Sequence, residues 1–248
     1  ESNMRPPAIE KMGYYPTDEL VIEVIQSYIA PAEAKARLFD PCAGEGRAAS
    51  QLGQALNCET LGVELSPERA AKAEQVMDKV FQAPWQACFL TDESISCLFL
   101  NPPYEYDRFD DQKRLELEFL KSTTPKLARS GLLVYIIPQR ILGMPEVARL
   151  LGGHYENTRI YRFPDGLFEK FQQVVVFATR RLAYKIPGDR EVGEITSQSQ
   201  GEIAPIQSVP QPVYPLVPAP IRGANSRPVV FKRMDWEPEE VVEATQKA

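Results

Sequence analysis

Histidine is nearly absent from these 248 residues, His154 being the only one. That excludes Ser-His-Asp catalysis with any second histidine in reserve, disfavours imidazole-built metal sites, and means the chemistry must run without a histidine base. No metal site is expected. Cysteine is also sparse: Cys42, Cys58, Cys88 and Cys97 form no CxxC pair and no dense framework, which predicts reduced and mostly buried thiols. Long apolar runs are missing. The longest, Leu132 to Pro138, is less than half of what crosses a bilayer, and no charged-then-apolar leader is legible, so a cytoplasmic protein without membrane contact is expected. An excess of positive charge is lacking too. A formal net charge of −6 excludes coating of nucleic acid by bulk electrostatics and leaves only local contacts. What remains, with 44% hydrophobic and 25% charged residues, is an ordinary globular chain.

Along that chain, helical and extended patterns alternate. Leu20, Val21, Val24, Ile25, Tyr28 and Ile29 recur at helical spacing and predict a helix over Thr17 to Ala30, with Thr17 as its N-cap and Pro31 as its stop. Next come a short strand ending at Asp40, a glycine-bearing turn, a helix from about Arg47 to Leu56, a strand Thr60 to Glu64 and a helix opening near Pro67. The pattern continues through a strand Ile95 to Leu100, a helix Leu115 to Leu127 and a strand Leu132 to Ile137. Such alternation predicts an α/β fold with a parallel sheet and crossover helices. Thr158 to Phe163 and Gln173 to Thr179 are separated by too little chain for a crossover and should pair antiparallel. After Tyr184 the texture changes. Seven prolines between Pro205 and Pro228 predict an extended stretch that hugs a surface or links domains, with a short strand over Arg227 to Arg233 and a helix opening after Asp235. The division expected is a catalytic domain over 1–184 and a proline-rich extension over 185–248.

Three constellations carry chemistry. In Asp40-Pro41-Cys42-Ala43-Gly44-Glu45-Gly46, between a strand and a helix, the glycines allow a tight turn and a close approach to a ligand. No GKS or GKT follows, and the two carboxylates would repel a pyrophosphate; a cationic ligand suits them better. Glu64 ends the next strand, where an acid can accept both hydroxyls of a ribose, so together these point to a nucleoside. The sharpest is Asn101-Pro102-Pro103-Tyr104, directly after an apolar strand. A chance match to this pattern in a chain of this length is roughly one in a hundred, from an average proline usage of about 5%. Two adjacent prolines are stiff and donate no hydrogen bond, so they fix the direction of the backbone carbonyl before them. That carbonyl and the asparagine amide oxygen can accept both protons of one planar amino group, which frees the nitrogen lone pair for attack on a methyl group. Tyr104 offers a face for stacking a base.

Taken in order, Gly13-Tyr14-Tyr15-Pro16-Thr17, the Asp40 to Gly46 turn, Glu64 and Asn101 to Tyr104 resemble the motifs of S-adenosylmethionine-dependent amino-methyltransferases, closest to the N6-adenine DNA methyltransferases. The resemblance spans roughly residues 13–180. With 61 residues between Asp40 and Asn101, it is the class that carries recognition at the C-terminus. It implies a Rossmann-like fold with a seven-stranded, mostly parallel sheet whose last strand is antiparallel. It also implies S-adenosyl-L-methionine as cofactor: Tyr15, Pro16 and Thr17 at the methionine end, Asp40, Pro41, Cys42, Ala43, Gly44 and Gly46 along the methionine and sulfonium, and Glu64 with Leu65 at the ribose. Asn101, Pro102, Pro103 and Tyr104 would hold the target amino group, and Phe168 or Phe171 would stack on an extruded base.

The implied partner is DNA, with RNA bases and protein glutamine as alternative acceptors, and a catalytically idle methyltransferase-fold subunit as a rival of another class. The sequence departs from the family in two places. Ala83 and Pro84 stand where an acid often binds the cofactor's adenine, and the 64 residues after Tyr184 are short for a recognition domain, so target choice falls to this segment or to a separate specificity subunit. Six basic residues against three acids between Tyr155 and Lys185, and Arg222, Arg227, Lys232 and Arg233 further on, are available to phosphates.

Overall fold

Ile95–Leu100 is buried at every position, and Leu127–Pro138 is buried at all but two. Runs of this kind have no solvent face and belong at the centre of a sheet covered on both sides. The structure, a computed structural model, describes residues 16–103, 106–107 and 110–234, and it places these two strands side by side. In chain order the main sheet comprises β1 (Ala36–Asp40), β2 (Cys58–Glu64), β3 (Lys79–Gln82), β4 (Ile95–Leu100), β5 (Leu127–Pro138), β6 (Tyr155–Arg162) and β7 (Gln173–Arg180). Their order across the sheet is β3-β2-β1-β4-β5-β7-β6. β7 runs antiparallel to both neighbours, with Val176 opposite Tyr135 on β5 and Ile160 on β6; the other pairings are parallel. The α/β class, the seven strands and the antiparallel last strand agree with expectation.

Alternation along the strands feeds two cores. Leu38, Cys97 and Phe99 face α1 (Glu19–Ser27) and α2 (Arg47–Ala55) on one side, while Phe39, Leu98 and Leu100 face the side that also holds α5 (Pro145–His154). Between them in sequence come α3 (Pro67–Ala73), which Ser66 caps, and α4 (Leu115–Thr123). The strand order reverses between β1 and β4. In a doubly wound sheet the crevice beyond the carboxyl ends at that switch point is where ligands bind, and Asp40 and Asn101 are the residues that end or follow those two strands.

Two local expectations are corrected. The first helix starts at Glu19, capped by Asp18, whose side chain accepts from the Leu20 N–H at 2.9 Å. Thr17 is not its cap, because its hydroxyl is engaged elsewhere. The helix also ends at Ser27, ahead of Pro31, since Ile29 and Ala30 pair in parallel with Tyr214 and Pro215. A helix not anticipated in the sequence, α6 (Asp189–Ser197), packs beside α5 and buries Ile195. The expected strand over Arg227 to Arg233 is shorter, Phe231–Arg233, and pairs antiparallel with Cys88–Leu90. The helix expected after Asp235 lies outside the described residues.

Between these elements the proline-rich segment runs extended over the sheet's surface, anchored by buried Ile206, Tyr214, Leu216 and Phe231. Backbone bonds fasten it along its length: Ile206 N–H to the Arg162 carbonyl (2.8 Å), Ala219 N–H to Lys35 (3.0 Å) and Ala224 N–H to Asp92 (2.8 Å). At that last point the chain comes so near that a Cβ on Gly223 would sit 2.3 Å from the Asp92 carbonyl oxygen and 2.5 Å from Thr91 Cγ2. Gly223→Ala is therefore expected to cost about 1–3 kcal/mol through backbone displacement, read as a lower midpoint in thermal or urea unfolding. An unchanged midpoint would mean that the tail is not fastened there.

Candidate active site

The turn after β1 is built by short backbone contacts. Cys42 N–H donates to Asp40 Oδ1 (2.9 Å), Ala43 N–H to the Val63 carbonyl (2.9 Å) and Gly46 N–H to the Ala43 carbonyl (2.8 Å). Gly46 occupies the N-cap of α2 at φ +78°, a left-handed conformation, and a Cβ there would meet Ala73 Cα at 3.0 Å and Met77 Sδ at 3.1 Å. Glycine is what lets α2 start this close to α3. Asp40 itself is buried. Burial pushes its pKa up to about 7, helped by the Glu64 charge and opposed by the Cys42 N–H bond. A carboxylate that is costly to ionise when alone is a site prepared for a cation. Burial first, then Asp40 and Glu64, also raises the neighbouring Cys42 thiol, which keeps it protonated.

Over this turn lies a cavity of about 590 Å³, within the range of small-molecule sites. Its wall includes Pro16, Thr17, Asp40, Cys42, Ala43, Asn101 and Phe171, so residues from four separate stretches of sequence meet there. Asn101 Nδ2 donates to Thr17 Oγ1 at 3.0 Å. This bond spans 84 residues and is what occupies the hydroxyl that the sequence offered to the helix N-terminus. It fixes the plane of the amide. Pro102, next in sequence, is buried.

Other anticipated residues are not in the cavity wall. Pro41, Gly44 and Gly46 belong to the turn without lining the cavity, Leu65 is exposed, and Pro102 and Pro103 follow Asn101 outside the wall. Tyr15 and Tyr104 lie outside the described residues. Glu64 is buried and held by the protein itself: Oε2 accepts from Gly44 N–H (2.8 Å), and Oε1 accepts from Ser66 N–H (2.8 Å) and from Arg69 Nη2 (2.8 Å). It is Arg69, its ion-pair partner, that reaches the wall. Of the two aromatic candidates, Phe168 packs against the core with the Arg162 guanidinium 5.3 Å from its ring centroid. Phe171, 39% exposed, is the one at the cavity.

Several wall residues carried no sequence signal of their own. Ser66 and Glu68 arrive with Arg69 from the start of α3, and Lys170 and Gln173 flank Phe171. Glu45 lies inside the glycine turn, where its carboxylate meets Lys72 (2.7 Å) and Arg47 (3.3 Å), and the Lys72 hydrogen bond lowers its pKa. Among the described residues no cluster of His, Cys, Asp and Glu is arranged to hold a metal ion, and no helix is long and apolar enough to cross a membrane. The model of an uncharacterised methyltransferase family, DUF6094, matches residues 8–219. The chain belongs to that family. This DUF6094 methyltransferase matches no curated protein.

Solved structures resemble the DUF6094 chain distantly. One is a predicted O-methyltransferase from Agrobacterium tumefaciens, 16% identical over 75% of this chain and 99% of its own, with a TM-score of 0.47. A second is an RNA methyltransferase from Salinibacter ruber crystallised with S-adenosyl-L-homocysteine, 16% identical over 71% of this chain and 98% of its own, TM-score 0.45. A third is the Haloferax volcanii complex of the Trm112 methyltransferase activator with a putative methyltransferase, 14% identical over 64% and 89%, TM-score 0.47.

Proposed function

We propose that this DUF6094 methyltransferase uses S-adenosylmethionine to methylate the exocyclic N6 of adenine in DNA, in the cytoplasm. The observation that carries the reading is the convergence of Asn101, Thr17 and the buried Asp40 on one cavity at the switch point, with Pro102-Pro103 directly after the asparagine. The residues fit that cofactor. The cavity has the volume for a nucleoside joined to an amino acid, and the buried Asp40 carboxylate answers a positive sulfur. When bound, S-adenosylmethionine supplies an electrophilic methyl group on a sulfonium.

The chain's own residues do the rest. Asp40 and the turn after it hold the cationic end, with Pro16 and Thr17 at the methionine end. Glu64 takes the ribose hydroxyls once Arg69 turns aside from it. Asn101 Oδ1 and the adjoining backbone carbonyl accept the two amino hydrogens, which draws the lone pair out of conjugation with the ring and aims it at the methyl carbon. Phe171 stacks on the extruded base. Bound there, the cofactor would give its methyl group to the amino nitrogen that these residues orient, and one amino proton would leave to solvent. Positioning supplies most of the rate.

Thr17 has a measurable share in this. Thr17→Val removes the acceptor for Asn101 Nδ2 and is expected to lower kcat about tenfold, the size of a lost net hydrogen bond of roughly 1 kcal/mol or somewhat more. Thr17→Ser keeps the hydroxyl and should recover most of the rate. Equal loss in both variants would show that the hydroxyl does not orient the amide. The acceptor itself is tested by nucleoside analysis of unmethylated duplex DNA after incubation with protein and cofactor, where N6-methyladenine is expected. A methylated ribonucleoside or a methylated glutamine in parallel RNA and protein samples, with DNA unchanged, would replace the reading.

A further inference from the structure

Among the described residues of the cavity wall, two polar side chains are more than nine-tenths buried: Asp40, 3% exposed, and Gln173, 5% exposed. The cationic end of the cofactor accounts for Asp40. Gln173 stands three strands away from it across the sheet, on β7 and beside Phe171, which places its amide on the acceptor side of the cavity. A glutamine amide has two N–H donors and an acceptor oxygen, so it can keep a protein neighbour and still meet a ligand. A few polar groups set in the wall of such a cavity are what fix a ligand's orientation.

The backbone fixes where that amide stands. Gln173 opens β7 opposite Pro138 on β5, its carbonyl accepts from Phe163 N–H at 2.9 Å, and the Gln172 carbonyl before it accepts from Gln139 N–H at 2.8 Å. Gln172 turns the chain in the left-handed region, at φ +50°, between Phe171 and Gln173, which both line the cavity. Along β7, Val175 and Phe177 enter the core under α1 and α2, the core to which Phe99 on β4 also belongs. Gln173 precedes Val175 by two residues, and Asn101 follows Phe99 by two. The two amides therefore continue the same face of the sheet at one edge. Only β5 lies between their strands, and two spacings of about 4.8 Å leave room for the edge of one planar base with a hydrogen bond of about 2.9 Å at either end.

We propose that Gln173 reads the acceptor base, its amide N–H donating to the ring nitrogen N1 beside the amino group that Asn101 holds, an inference that rests on the adenine acceptor proposed above. Phe171 covers the face of the base, Asn101 takes its amino group, and Gln173 takes its edge. In adenine, N1 carries a lone pair next to N6. As the amino lone pair leaves conjugation with the ring, N1 loses electron density, so this hydrogen bond is no stronger in the transition state than in the bound substrate. Its loss therefore falls on KM, whereas the loss of Asn101 falls on kcat.

The test uses the full chain, wild type and Gln173→Met, on a synthetic duplex that carries the site methylated in plasmid DNA, with either adenine or 1-deazaadenine at the target position. 1-Deazaadenine keeps the amino group and has C–H in place of N1. On the adenine duplex Gln173→Met should raise KM about tenfold, the size of one lost hydrogen bond, with kcat within about twofold and cofactor affinity as in the wild type. In kcat/KM the wild type should prefer adenine to 1-deazaadenine about ten times more strongly than Gln173→Met does. Comparing the two preferences cancels any change in the reactivity of the amino group or in the ease of extruding the base. Where methionine lowers the unfolding midpoint, Gln173→Leu takes its place in the same comparison. An equal preference in wild type and variant overturns the inference, and so does a loss that falls on cofactor affinity. Either result leaves the acceptor reading standing, because the wild type still methylates adenine in the duplex. A wild type that methylates no adenine in DNA removes the acceptor reading, and the inference with it.

Discussion

Asn101→Ala is expected to lower methyl transfer by about 10³-fold while leaving cofactor affinity within a few-fold. The magnitude is that of removing one preorganised group aimed at charge developing in a transition state. The asparagine is proposed to accept a hydrogen that becomes acidic only as the nitrogen attacks, so its loss acts on kcat more than on binding. The fold should tolerate the change. Asn101 lies beyond the end of β4 and not within it, and Thr17, whose Oγ1 accepts from its amide, lines an open cavity where water can take the amide's place. Single-turnover rates with saturating cofactor, together with a direct cofactor titration, check both halves. A variant that loses cofactor binding to the same degree as rate would make Asn101 a cofactor residue and remove the amino-group reading.

Asp40→Asn has two effects of opposite sign. Because the folded-state pKa is raised to about 7, the folded protein keeps a proton that the unfolded chain, with a carboxyl near 3.8, has already lost. Between about pH 4 and 7 the folded state binds more protons, so stability falls as pH rises through that window and levels off above it. Asparagine keeps the oxygen that accepts from Cys42 N–H but carries no charge to bury. The ligand-free variant should therefore be more stable than wild type above pH 7, by a few kcal/mol.

Cofactor binding moves the other way. A bound cation favours the ionised carboxyl, so wild-type affinity for S-adenosylmethionine should rise about tenfold per pH unit up to about 7 and then level. In the asparagine variant it should be weaker and flat. S-adenosylhomocysteine, whose sulfur is neutral, should show a shallower dependence in the wild type. Unfolding midpoints and cofactor titrations from pH 5 to 8.5 measure all of this, and a pH-independent wild-type affinity would detach Asp40 from the cationic end.

What the sequence showed and what it hid follow from the range of the interactions involved. The alternation of strands, the glycine turn and the asparagine after β4 are written in contiguous residues, and the structure brings them to one cavity. Thr17 was misassigned as a cap because its partner is 84 residues away, and a local reading sees only the helix it precedes. Ile29 and Ala30 have helical periodicity but are claimed by Tyr214 and Pro215, and that contact exists only after the tail has wrapped around the sheet. Glu64 ends β2, which is all that its place in the sequence shows; that Arg69 occupies it depends on where α3 begins, which Ser66 and Pro67 set. Phe168 and Phe171 are equivalent in sequence. In the structure the first meets the Arg162 guanidinium and the second stands at the cavity, a difference set by what surrounds the short helix.

The most direct measurement of the central claim is transfer of label from methyl-labelled S-adenosylmethionine to a mixture of unmethylated duplex DNA, total RNA and protein, run beside Asn101→Ala. The account predicts label in N6-methyladenine of the DNA, abolished by the substitution. Label in RNA or protein with the DNA unlabelled, or DNA label that survives in Asn101→Ala, would contradict it.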